Sequence, residues 1–215
     1  MGITERKERE RLQRREEIMA AAERLFFTKG IQNTTMDDVA VEAELSKGTL
    51  YIYFKSKEEI HWEITQRHIK KVMTDMEQLM DPSKSAVDNL LTMARVFIDH
   101  FEEDHAEAHS ILFFQTHDLK TLNLDMNLID ETFINESPIH MVTGYVKQGV
   151  EEGLFRDDIP VVVLSTTLWA QLLGVLQIIT VKKELFELIQ VKRDDIIDCH
   201  LKLVLNGIMK NNEKV

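Results

Sequence analysis

A single cysteine, Cys199, stands in 215 residues. It excludes an intramolecular disulfide, a multi-cysteine zinc site and an iron–sulfur cluster, and it suits a reducing cytoplasm. Three prolines and eight glycines, beside 44% hydrophobic and 29% charged residues, exclude collagenous, low-complexity and disordered chains. No apolar stretch opens the chain as a signal peptide would, and Arg6 stands where a myristoylation motif requires Ser or Thr. No Asn-Gly or Asp-Gly joins two alternating apolar runs, so hairpins have no signal. One uncharged run is long enough for a bilayer, Ile159 to Val181, 23 residues. Ser165, Thr166, Thr167, Gln171, Gln177 and Thr180 within it, and flanks of both signs, argue instead for a protein helix buried on nearly all sides.

What is present is helical periodicity. The net charge is −11, but residues 1–62 hold 11 basic and 12 acidic side chains against 15 and 25 in the remainder. Six of the basic ones, Arg6, Lys7, Arg9, Arg11, Arg14 and Arg15, lie in the first 15 residues. Such an arm meets a polyanion or is a solvated helix end, while the acidic remainder faces elsewhere. Ile18, Ala21, Ala22, Leu25 and Phe26 form one helical face that stops at Gly30. Thr35 caps a short second helix through Met36, Val39, Ala40 and Ala43, and Ser46 a third over 47–54, with Leu50 and Phe54 inward. Ser56-Lys57-Glu58-Glu59 has the form of a capping box and starts a fourth helix that ends at Asp81-Pro82-Ser83. Further helices are expected over 84–103, 105–118, 124–152 with a break at Ser137-Pro138, 159–183 and 194–211. The fold class is all-α.

Two short helices joined by a tight turn within about twenty residues are what a helix-turn-helix requires. With Leu50 and Phe54 inward, Lys47, Gly48, Thr49, Tyr51, Ile52 and Tyr53 are left on outward or flanking faces of the second of these helices, after Ser46 at its cap. A glycine there permits close approach of another surface, and tyrosine hydroxyls donate to phosphate. The Tyr51–Phe54 alternation also fits a short strand or core aromatics.

The stretch from Thr34 to Ala40, with Ala43 and then Leu45 to Glu59, resembles the DNA-binding domain of the TetR family of transcriptional regulators. The likeness covers residues 14–62. It implies a homodimer with an N-terminal three-helix DNA-binding domain, 1–62, and a larger helical domain, 63–215, that binds a small-molecule effector and dimerises. Carried over position by position, it implies phosphate contacts from Thr34 or Thr35, Tyr53 and Lys57, and groove contacts from Lys47, Thr49 and Tyr51. Two positions depart from the pattern: Glu44 stands where the turn usually has glycine, and Ile52 where many members have histidine. The first must adopt a left-handed conformation at a steric cost; the second offers a hydrocarbon for a thymine methyl.

In the larger domain, the helices near 159–183 and 194–211 carry more apolar surface than an exposed pair can hide, and are expected either as the dimer interface or as monomer core. Phe97, Phe101, Phe113, Phe114, His117, Met141, Tyr145 and Trp169 mix aromatic, flexible and polar groups as effector pockets do, although core packing accounts for each singly. Catalysis finds no support. The pairs Glu58/His61 and Glu102/His105 have di-metal spacing, but one lies in a cap and the other in a solvated acidic run. His105 and His109, four apart, match exposed helical histidines as well as metal ligands, and neither a nucleophile elbow nor a phosphate-binding glycine loop occurs. The reading is a ligand-responsive DNA-binding regulator, a repressor, cytoplasmic, without cofactor or metal. The competing one is an all-α small-molecule or metal-binding protein without DNA function.

Overall fold

The computed structural model describes residues 2–103, 105–116 and 137–210. Among them are ten helices and no strand, which agrees with the all-α expectation. They are α1 (Ile3–Lys29), α2 (Met36–Glu42), α3 (Lys47–Tyr53), α4 (Lys57–Leu79), α5 (Ala86–Glu103), α6 (His105–Thr116), α7 (Pro138–Glu151), α8 (Val161–Val181), α9 (Lys183–Leu188) and α10 (Arg193–Ile208). The chain divides into two compact units. One holds α1 to α3, α4 as far as His68, and α6; the other holds α4 from Ile69, α5 and α7 to α10. The division falls within α4, between His68 and Ile69, and α6 groups with the N-terminal helices.

In that unit, α1 begins at Ile3, so the basic arm is the first half of the helix whose apolar face starts at Ile18. Charge pairs along it, Arg6 with Glu10 and Arg14 with Glu17, support the exposed half by a few tenths of a kcal/mol each. The core is Ile18, Met19, Ala22, Val39, Ala40, Leu50, Phe54, Ile60 and Ile64. Each large side chain removed from water there contributes about 1.5–3 kcal/mol. α4 starts at Lys57 with the Glu59 amide donating to Ser56 Oγ at 3.2 Å, while the Glu59 carboxylate accepts from the Lys55 amide at 2.6 Å, one residue further back than a capping box predicts. Along α4, Arg67 pairs with Glu16 and Glu23 of α1, and His68 Nε2 lies 2.5 Å from Glu23. Burial pushes the Glu23 carboxyl up, but the His68 hydrogen bond and the Arg67 charge outweigh it and hold it below its ordinary value. α6 packs in the same unit through Thr65–Ser110 hydroxyls at 2.8 Å and the ring pairs Trp62–Phe114 and His61–Phe113, both with centroids at 4.9 Å.

In the second unit, α7 packs on both α5 and α8, and α10 on α8. Pro138 takes the first position of α7, where its missing N–H costs nothing; the helix expected over 124–136 lies outside the described residues. A close approach fixes the end of α7: a β-carbon at Gly149 would lie 2.1 Å from the ring of the fully buried Phe155. The Arg156 amide donates to the Ile208 carbonyl, and the Lys210 amide to that of Leu154, tying the end of α10 to this turn. α8 is not buried on nearly all sides. Only Leu164, Ser165, Leu176 and Ile179 are buried, while Val162, Val163, Ile178 and Val181 are more than half exposed. The short α9, absent from the sequence reading, follows where Lys182 leaves helical geometry, with φ −114° and ψ 33°.

Candidate nucleic-acid interface

Thr35 caps α2, its hydroxyl accepting from the Asp38 amide at 3.1 Å while the Asp38 carboxylate accepts from the Thr35 amide at 2.9 Å. The reciprocal box is confined to four residues and was legible as Thr followed by Asp three positions on. The Thr35 amide and hydroxyl, and then Lys29, hold the Asp38 carboxyl down at about 2. α2 ends in a turn in which Glu44 has φ +54° and the Leu45 amide donates to the Ala40 carbonyl at 2.8 Å. The left-handed geometry glycine would adopt freely is thus taken by glutamate. Ser46 then caps α3 by accepting from the Thr49 amide at 3.1 Å.

Within α3, Leu50 and the C-terminal flanking Phe54 are sealed in the core, which rules out the strand reading. The opposite side is open. Ser46, Lys47, Gly48 and Tyr51 are exposed, Thr49 and Tyr53 half-buried, and Ile52 is 77% exposed. A β-carbon at Gly48 would meet nothing of this chain nearer than Ser46 Oγ at 3.9 Å. Glycine is therefore not required there by the fold. Lys47 reaches Asp37 at 2.7 Å, and that hydrogen bond raises the affinity of the ammonium for its proton. Both partners are well exposed, so the pair is weak and exchangeable. Tyr53 packs its ring on the core, and neither its hydroxyl nor that of Tyr51 has a hydrogen-bond partner among the described residues.

Two of the side chains expected at phosphates have hydrogen-bond partners within the chain. The Thr34 side chain is fully buried and donates to the Gly30 carbonyl at 2.9 Å, so of the pair Thr34 and Thr35 only Thr35 faces outward. The Lys57 ammonium donates to the carbonyls of Ile31, Gln32 and Thr34 at 2.8, 3.2 and 2.9 Å, which leaves it no hydrogen for a phosphate. It holds the turn between α1 and α2. Arg15, which the sequence offers only as part of a basic arm, braces the other end. Its guanidinium lies 4.2 Å above the Phe54 ring, donates to the Tyr53 carbonyl at 2.6 Å and pairs with Glu63. Burial nevertheless raises the Glu63 carboxyl above its ordinary range, against the pull of Arg15. Nothing in the spacing of Arg15 and Glu63, 48 residues apart, signals this contact.

The expected effector residues separate. Phe113 and Phe114 belong to α6 in the N-terminal unit, Phe113 lining a hollow there with His61 and Phe26. Phe97 and Trp169 face one another in the second unit, centroids at 4.8 Å, and line its cavity of about 70 Å³, with Phe101 buried beside Phe97. Met141 and Tyr145 are half-buried on α7 and do not line that cavity, and His117 lies outside the described residues. His200 of α10, not singled out by the sequence, does line it.

A capped pair of short helices in one compact unit, the second presenting an exposed polar rim, has the form of a helix-turn-helix. The model of the family described as "Bacterial regulatory proteins, tetR family" matches residues 18–63. The chain is 27% identical over 148 residues to the transcriptional repressor KstR2 of Mycolicibacterium smegmatis, covering 69% of this chain and 70% of that one. Its fold is similar to a TetR-family regulator from Shewanella, with TM-score 0.71 at 12% identity over 92% of this chain and 99% of that one. It is also similar to KstR2 of Mycobacterium tuberculosis, with TM-score 0.64 at 22% identity over 92% and 96%. Residues 18–63 thus match that family's DNA-binding domain, and the chain as a whole is similar to TetR-family regulators in sequence and in fold.

Proposed function

We propose that a dimer of this chain binds a near-palindromic operator in the cytoplasm as a repressor and is released by a small-molecule effector. The N-terminal unit is the DNA-binding part, and the second unit carries effector and dimer contacts. The observation that carries the reading is the outer rim of α3, where exposed Lys47, Gly48 and Tyr51 stand beside half-buried Thr49 and Tyr53 and the fold itself requires neither the glycine nor the two tyrosine hydroxyls. Thr35, Ser46 and Tyr53 offer hydroxyls to phosphates at helix starts and flanks, while Lys47, Thr49 and Tyr51 reach base edges. Two such helices about 34–36 Å apart would read successive major grooves. The relatives named as repressors support repression.

For the dimer, the support is the open α8 face of Val162, Val163, Thr166, Thr167, Ala170 and Gln171, a shallow strip of uncharged side chains, mostly small or β-branched. α4, which contributes to both units, is the element through which an effector's preference for one arrangement reaches α3.

The test separates positioning from reading. Tyr53→Phe should weaken binding about equally on all sequences, whereas Thr49→Ala and Tyr51→Ala should change the preference between sequences. Equal effects from both classes would refute the assigned roles. Lys57→Met should lower stability by about 1–3 kcal/mol in urea denaturation through the lost carbonyl contacts. It should leave the salt dependence of DNA binding unchanged; a slope reduced by about one would return Lys57 to a phosphate.

A further inference from the structure

The cavity of the second unit has a lining that is hydrocarbon almost throughout, with Met76, Met93, Phe97, Trp169, Leu172 and Leu201 among its walls. Among the described residues no carboxylate, ammonium or guanidinium lines it. Its polar groups are the Trp169 indole N–H and the His200 imidazole, and neither has a hydrogen-bond partner among the described residues. Burial lowers the affinity of His200 for a proton, so at neutral pH it offers one donor and one acceptor without charge.

We propose that this cavity binds an uncharged, hydrocarbon-rich molecule whose hydroxyl or carbonyl oxygen hydrogen-bonds His200. The inference rests on the effector reading above and gives the effector its chemistry. An anionic head would be stripped of water with no cation to receive it, which costs far more than one hydrogen bond returns. A cationic head would need a carboxylate or the open faces of an aromatic cage. The two rings available, Phe97 and Trp169, are turned on each other at 4.8 Å.

The size of the void supplies the coupling. About 70 Å³ is the share of liquid volume of roughly two waters, well below the ~300–1,000 Å³ of drug-sized pockets. A ligand must therefore part the walls drawn from α4, α5, α7, α8 and α10, and unbranched Met76 and Met93 can re-pack around it. A molecule larger than the void binds only the parted arrangement, and that difference in affinity is what shifts a population.

Decanol, decanoate and decyltrimethylammonium, equal in chain and different in head, test this by calorimetric titration of the full-length protein. Decanol should bind at least about tenfold more tightly than either ion. His200→Leu should cost decanol about three- to tenfold, the worth of one hydrogen bond, and His200→Gln, which keeps a donor and an acceptor, should restore most of it. The wild-type head-group preference stands as a test even if a variant fails to fold. Decanoate or the ammonium binding as tightly as decanol, no binding of any probe, or unchanged decanol affinity in a folded His200→Leu protein would overturn the proposal. DNA binding is followed in the same samples: failure there contradicts the regulator reading, whereas intact DNA binding without head-group preference contradicts only this inference.

Discussion

Glu44 shows how one residue carries the turn between α2 and α3. Its φ of +54° lies where a side chain crowds the following carbonyl, at about 1–2 kcal/mol. The turn keeps it there through the Leu45 amide bond to Ala40. Glu44→Gly should therefore raise stability by about 1 kcal/mol in urea denaturation, with DNA affinity unchanged because the side chain is exposed and belongs to no contact surface proposed here. Asp38 sets an acid limit on the same motif. Its carboxyl is held at about 2 against an ordinary 3.8, so the folded state favours the ionised form. The resulting stability is fully present above about pH 3.8 and is lost as pH falls from there through about 2. Asp38→Asn should flatten that part of the stability profile relative to wild type. At this scale the sequence misleads where a side chain's task is set by distant backbone. Thr34 and Lys57 are placed by resemblance at phosphates, yet their polar atoms are taken by carbonyls of the α1–α2 turn. No local pattern distinguishes the two uses.

At the scale of the element, α3 is only seven residues long, and its stability comes from Leu50, Phe54 and the Ser46 cap rather than from its composition. Gly48 lowers helix propensity by about 1 kcal/mol relative to alanine with no crowding in this chain to require it. Gly48→Ala should thus raise the melting temperature while weakening DNA binding, two effects of opposite sign read on the same protein. A mutation that improved both would remove α3 from the interface. The helix starts were legible because caps are local: Thr35, Ser46 and Pro138 each announce a helix by chemistry within four residues. The extent of α1 was less so, since a charge-rich sequence without apolar spacing reads as an arm until the helix that continues it is seen. The grouping of α6 with the N-terminal unit was not legible at all. It depends on Thr65 meeting Ser110 and Trp62 meeting Phe114, contacts between segments about fifty residues apart.

For the whole molecule, the uncharged run from 159 to 181 is the feature whose meaning changes most with structure. Read as sequence it calls for burial on nearly all sides; in a single chain a strip of α8 remains open along Val162, Thr166 and Ala170. A second copy presenting the same strip would cover it by two-fold symmetry. Thr167→Arg, which puts a charge at the centre of that strip, should shift the mass in sedimentation from dimer to monomer and lower operator affinity by at least about tenfold, since one recognition helix then binds alone. The charge distribution favours the same arrangement. Of the net −11, nearly all lies beyond residue 62, which leaves the N-terminal part close to neutral with its basic residues gathered in the first half of α1.

The most direct test of the central claim is selection of binding sequences from a random duplex pool by the purified protein, with the mass of the selected complex measured. An enriched inverted repeat is expected, its half-sites one helical turn apart, occupied by dimers and released steeply by salt. No enrichment at low salt, or a single unrepeated site held by one protomer, would contradict it.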